Sequence, residues 1–151
     1  MLIILAVARG FSSYLIDAQI PAALIDWTRE SVGNKYIFLL GLNVFLLIVG
    51  CVMDIFSALF VVVPLIAPVG AEFGIHPVHL GIIFIANLEL GYLTPPVGLN
   101  LFLASYRFDR PLLEVYRASI PMLIIHGIGV LLITYLPWLT TALLPLVGDT
   151  P

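Results

Sequence analysis

Thr94-Pro95-Pro96-Val97-Gly98 sits inside an apolar stretch running from 78 to 104. Neither proline carries an amide hydrogen, so a helix entering the motif leaves the carbonyls of Gly91 and Tyr92 without their usual donors. Open backbone at membrane depth is tolerated only where it is buried in protein or lines a wet cavity, and interrupted helices of this kind build ion and substrate sites in secondary transporters. Carbonyl oxygens ending the half-helix before the break suit a small cation. Amides opening the half-helix after it, near Gly98 to Leu101, suit a carboxylate. The competing reading is a plain proline kink.

A second candidate lies in the run Gly50-Cys51-Val52-Met53-Asp54, where a glycine and a carboxylate separate two apolar arms. An ionisable residue in such surroundings defaults to a functional role, and Asp54 equally suits an N-cap that accepts amide hydrogen bonds; the two roles are compatible. Asn43, Asn87 and Asn100 are polar groups in apolar surroundings. Interhelical hydrogen bonding accounts for most such residues and is favoured for Asn43. Asn87 and Asn100 flank the TPPVG break, where a carboxamide also suits a cation or a carboxylate. Glu89, close to the same break, pairs with a basic group of another subunit or faces the interface.

Other chemistries find little support. His76 and His79 do not form a helical His-Glu-x-x-His pattern, so no metal site is expected beyond a transported ion. Ser12, Ser13 and Ser57 lack a Gly-x-Ser-x-Gly turn, so no hydrolase is expected. Cys51 has no second cysteine to pair with and reads as a small hydrophobe. With a net charge of -3 and six scattered basic residues, the chain has no stripe to neutralise a phosphate backbone, so nucleic acid is excluded as a partner.

The elements that must position these residues are transmembrane. Of 151 residues 62% are hydrophobic and 10% charged, a balance from which no water-soluble surface can be built. Met1 is followed at once by an apolar stretch without a basic n-region, so a removable signal is not expected. Residues 1–19 read as a first span and 21–33 as a short interfacial helix opened by Pro21. The stretch 36–68 is too long for one straight crossing and reads as a re-entrant hairpin tipped near Asp54, its arms each too short to cross alone. Pro68, Gly70, Gly74 and Pro77 mark a loop. A broken span at 78–104 and a final span at 120–146 complete an all-α integral membrane domain. The basic loop at 107–117 is cytoplasmic by charge placement, which puts the loop around His76 outside. Arg29 and Lys35 then lie outside if 36–68 is a hairpin and inside if it is one tilted span. Trp27, Tyr36, Tyr106, Tyr116 and Trp138 read as interfacial anchors.

As a set, GCVMD at 50–54, Pro-x-His-x-Gly-Ile at 77–82 and Asn-Leu-x-x-Gly-x-x-Thr-Pro-Pro-Val-Gly at 87–98 resemble the large, DctM-like membrane permease of tripartite ATP-independent periplasmic (TRAP) transporters. The similarity runs from the Gln19-Ile20-Pro21 turn to the last span. The resemblance implies a sodium-coupled importer of organic acids such as C4-dicarboxylates. Sodium is its coupling ion, and no other cofactor is implied. Its partners are a periplasmic solute-binding protein, a small membrane subunit and the remainder of the large permease, in the bacterial inner membrane. The family is built from two inverted repeats, of which this chain resembles the C-terminal one; a fragment, a truncated reading frame and a split subunit all fit that. Carried over by position, Gly50, Met53, Asp54, Thr94, Pro95 and Gly98 form the ion site, and Asn87, Pro96, Val97 and Asn100 meet the substrate. Glu89 departs from the apolar residue expected at its position. The alternative is a non-transporting half-repeat acting in assembly or regulation; an intramembrane enzyme lacks a nucleophile and base.

Overall fold

The computed structural model describes residues 2–95 and 98–142, and their side chains apart from those of residues 2, 4 and 5. Its elements are α1 (Leu2–Asp17), α2 (Ile20–Ser31), α3 (Lys35–Val52), α4 (Ile55–Val61), α5 (Val63–Glu72), α6 (Pro77–Tyr92), α7 (Leu99–Phe108), α8 (Leu112–Tyr135) and α9 (Pro137–Thr141). Most boundaries have a local cause. Pro21 and Pro77 open α2 and α6, where a missing amide hydrogen costs nothing. Asn34 caps α3 by accepting from the Tyr36 amide at 2.9 Å. Pro111 precedes α8 and Pro137 ends it.

α3 and α6 run parallel, because their starts and their ends both meet. At the start, Lys35 Nζ donates to the Gly74 carbonyl at 3.2 Å; near the end, Gly50 packs on Leu88 and Gly91. α4 and α5, bent by 53° at Val62, carry the chain back between them and pack against α1 and α2. α8 runs antiparallel to both. Its residues 122–133 flank residues 86–89 of α6, and the Tyr135 ring stacks near Tyr36 with centroids 6.2 Å apart. The core lies between the parallel pair and the returning arm: Leu46, Ala58 and Ile83 are completely buried there. Arg29 and Glu72 form an ion pair at the same end as Lys35, opposite the α7–α8 connection.

Several expectations are corrected. α3 and α8 are each long and apolar enough to cross a membrane, and the bent α4–α5 pair adds a third candidate, so the first arm of the 36–68 segment is not too short alone. The described part of α1 is 16 residues, about 24 Å along its axis. α2 packs on α5 with Pro21 and Thr28 buried. Pro68 and Gly70 lie inside α5, not in a loop; membrane helices accept such prolines where neighbouring groups satisfy the freed carbonyl. The last long helix begins at Leu112 and ends at Tyr135, earlier than 120–146 at both ends. Residues 143–146 lie outside the described part of the chain.

A Cβ added at Gly91 would stand 2.6 Å from the Gly50 Cα. Gly91→Ala is therefore expected to force α3 and α6 apart and to cost about 1–3 kcal/mol, read as a thermal midpoint several degrees lower in detergent. Gly127→Ala, in α8 with nothing within 4 Å of its added Cβ, should melt at or above the unsubstituted chain.

Candidate functional site

The two interruptions singled out from the sequence meet in space. Gly50, one turn before the end of α3, touches the backbone of Leu88 and Gly91 on the last turns of α6. The next residue, Cys51, is buried and directs its thiol at the carbonyls of Thr94, 3.6 Å, and Pro95, 3.9 Å. Two parallel helices thus end side by side and each breaks there. Residues 122–126 of α8 stand beside Glu89, which places the end of α6 about 10 Å inside the start of α8. The first turns of α8 continue past the breaks and pack against α7.

Not all the freed backbone is open. The Gly91 carbonyl, expected to lack a donor, accepts from the Thr94 amide at 3.0 Å, because the last turn of α6 tightens. The Leu90 carbonyl takes the Leu93 amide at 3.1 Å and the Thr94 hydroxyl at 2.7 Å. Gly98 closes the break with φ 45°, and a Cβ there would lie 3.1 Å from the Thr94 carbonyl oxygen and 3.4 Å from that of Tyr92. Only glycine takes this conformation without strain, and it draws the Tyr92 and Thr94 oxygens together over the start of α7. The Leu101 and Phe102 amides both turn back to the Gly98 carbonyl. No side chain caps α7, so the amides of Leu99 and Asn100 are the ones a ligand can take.

Asp54 is an N-cap. Its carboxylate accepts from the Ser57 amide at 2.9 Å and the Ser57 hydroxyl at 2.8 Å, and it stays exposed. Met53 ends α3, with its amide on the Val49 carbonyl at 2.8 Å, and packs against the core. The junction therefore gathers Gly50, Cys51, Thr94, Pro95 and Gly98, with Met53 and Asp54 at the adjoining turn and Asn100 on the first turn of α7. Pro96 and Val97 lie outside the described residues.

Asn87 faces elsewhere. It is buried, and its amide nitrogen donates to Asn43 Oδ1 at 2.6 Å and to the Ile83 carbonyl at 2.9 Å. Thr134 of α8 lies 3.0 Å from the same Asn43 oxygen, and the Asn43 amide donates to the Leu39 carbonyl. This node ties α3, α6 and α8 together one to two turns below the junction. In this geometry the amide donors of Asn87, expected at the substrate, are engaged in helix packing. The sequence reads Cys51 as a small hydrophobe and names Gly91 for its freed carbonyl, and places neither among the ion or substrate contacts. The sequence signal for the close crossing itself is a glycine in the last turn before each break. His79 is buried with Nδ1 2.7 Å from Thr140 Oγ1, and among the described residues no group of acidic, histidine or cysteine side chains is arranged to hold a metal.

Electrostatically the junction is one-sided. Two helix C-termini meet, each equivalent to about half a negative charge, beside the Asp54 carboxylate. The N-terminus of α4 is neutralised by its Asp54 cap, whereas that of α7 is not. A cation among the carbonyl ends and an anion at α7 both relieve this arrangement.

Asn43→Leu removes the acceptor shared by Asn87 and Thr134 and is expected to cost about 1 kcal/mol, in the range of polar contacts between membrane helices. Asn100→Ala, on the half-exposed first turn of α7, should leave the melting midpoint unchanged; thermal unfolding in detergent compares the two.

Residues 1–139 match the family described as "Tripartite ATP-independent periplasmic transporter, DctM component". The chain is 38% identical over 143 residues to the C4-dicarboxylate TRAP transporter large permease protein DctM of Pseudomonas aeruginosa, covering 95% of this chain and 34% of that protein. It is 35% identical over 148 residues to the protein of the same name from Rhodobacter capsulatus, covering 98% and 34%. It is 30% identical over 137 residues to the isethionate TRAP transporter permease protein DctMQ of Oleidesulfovibrio alaskensis, covering 91% and 22%. The chain spans about a third or less of the length of these relatives. With a match over residues 1–139 and a relative 38% identical, this all-helical chain belongs to the DctM family of TRAP transporter large permeases, a family of transport proteins rather than enzymes.

Proposed function

We propose that this chain supplies the ion- and substrate-binding half of a sodium-coupled importer of organic acids, C4-dicarboxylates among them. In this reading it works in the bacterial inner membrane as a multi-pass subunit. It acts with the remainder of the large permease, a small membrane subunit and a periplasmic solute-binding protein that delivers the substrate. The end bearing residues 107–117 faces the cytoplasm, by the placement of its arginines.

The observation that carries the reading is the meeting of two helix C-termini at the Gly50–Gly91 crossing. Negative helix ends packed together repel unless a positive charge sits between them. Sodium, a small hard cation, suits the carbonyl oxygens of Tyr92 and Thr94, with Gly50, Met53, Asp54, Pro95 and Gly98 shaping the pocket around it. The substrate carboxylate goes to the uncapped start of α7, at Leu99 and Asn100, and the family resemblance adds Pro96 and Val97 to the substrate contacts. The substrates named for relatives (C4-dicarboxylate, isethionate and sialic acid) are all anions, as a site at a helix N-terminus demands. Binding the cation first stabilises the junction and favours the anion beside it, which couples the two fluxes. Alternating access then moves this junction as one packed body.

Uptake of labelled succinate into proteoliposomes holding the chain with its co-encoded subunits is expected to require a sodium gradient. Asp54→Asn keeps a cap acceptor but removes the charge, and should raise the sodium concentration for half-maximal uptake at least tenfold. Pro95→Ala, which restores a backbone donor, should lower uptake by a similar factor. Uptake that ignores sodium, or both variants behaving like the native chain, would sink the proposal. Absence of uptake in every combination would favour a role confined to assembly.

A further inference from the structure

Glu89 lies on α6 one turn below the break, beside residues 122–126 at the middle of α8, the longest span. Its side chain is exposed, and among the described residues it makes no hydrogen bond or ion pair; the ion pairs among those residues join Arg29 to Glu72 and Arg110 to Glu114, at opposite ends of the bundle. The carboxylate opens onto a groove of about 290 Å³ between α6 and α8, lined by Ala86, Met122, His126, Gly129 and Ile133. His126 lines the same groove, with its Nδ1 engaged 3.1 Å from the Met122 carbonyl of its own helix. Small residues along such a groove let another helix approach closely.

We infer that the α6–α8 groove seats a transmembrane helix from the remainder of the large permease, and that this helix carries a lysine or arginine that pairs with Glu89. Three physical points select this occupant. Ionised carboxylates at mid-depth do not face lipid; they turn to protein partners or water-filled cavities. The groove is apolar apart from Glu89 and His126, so it fits a helix side better than a hydrated path. Relatives are about three times as long as this chain, so most of a permease of this family has to pack against faces that this third leaves open, and here the demand is for one positive charge. The inference rests on the chain being part of a permease and is independent of the coupling ion, so it is read by assembly and not by uptake.

The test co-expresses the tagged chain with the segment that completes its permease and measures co-purification in mild detergent. Glu89→Lys should reduce recovery of the partner at least tenfold, and Glu89→Gln severalfold, while Glu114→Lys at the polar end leaves it unchanged. Replacing the partnering lysine or arginine with Glu should restore assembly of Glu89→Lys. Because Glu89→Lys can perturb folding, Glu89→Cys is oxidised in membranes against single cysteines placed at each basic residue in the partner's spans, and a disulfide to one of them is expected. Undiminished assembly of a folded Glu89→Lys chain overturns the inference. So does a failure of every cysteine pair to cross-link, or ready labelling of Glu89→Cys by a charged, membrane-impermeant thiol reagent in the assembled permease.

Discussion

Everything distinctive about this domain depends on two backbones touching. Where Gly50 of α3 crosses Gly91 of α6, no side chain stands between the helices, and a methyl group at Gly91 would overlap the Gly50 backbone. Close approach of small residues is how helices associate where lipid supplies no hydrophobic drive. Here it also sets level two helix ends that belong to different parts of the chain. The turn at Met53–Asp54 and the break after Thr94 share one site because of that contact, and the Cys51 thiol bridges from one to the carbonyls of the other.

The parallel course of α3 and α6 follows from chain connectivity and has an electrostatic consequence. An antiparallel pair would have set a positive helix end against a negative one. The returning α4–α5 arm makes the pair parallel, so like ends meet. The Asn43–Asn87–Thr134 node helps hold the helices against that repulsion one to two turns below, in an apolar setting where side-chain hydrogen bonds have few competitors.

How much was legible in the sequence depended on whether the signal was local. Both interruptions were readable from local backbone chemistry: two successive prolines, Pro95 and Pro96, remove two adjacent amide donors and end α6 ahead of them, and Asp54 caps the helix that starts beside it. Pro68 was misread for the complementary reason. Its effect depends on whether neighbours satisfy the freed carbonyl, and inside α5 the helix continues through it. The start of α8 was placed eight residues late because Glu114 and Arg117 looked like loop, although a helix continues past the polar boundary of a membrane without penalty. Asn87 could not be assigned from sequence at all. A buried carboxamide looks the same whether it meets a ligand or Asn43, and only the rotation of α6 decides between them.

The two N-termini at the junction differ in a way that divides labour between them. Asp54 and Ser57 close the start of α4 with two hydrogen bonds, so that helix end has little left to offer an anion, and its carboxylate adds negative charge beside the carbonyl ends. The start of α7 follows Gly98, which has no side chain to cap with, and the left-handed turn there brings the Tyr92 and Thr94 oxygens to one side of it. A single residue without a Cβ therefore leaves the α7 amides uncapped and lets the carbonyls gather next to them. Substituting any larger residue at Gly98 strains the backbone and crowds the Thr94 oxygen, so the proposed cation and anion sites cannot be altered independently there. Under the proposed transport reading, coupling between the two ligands would rest on the geometry of this one glycine.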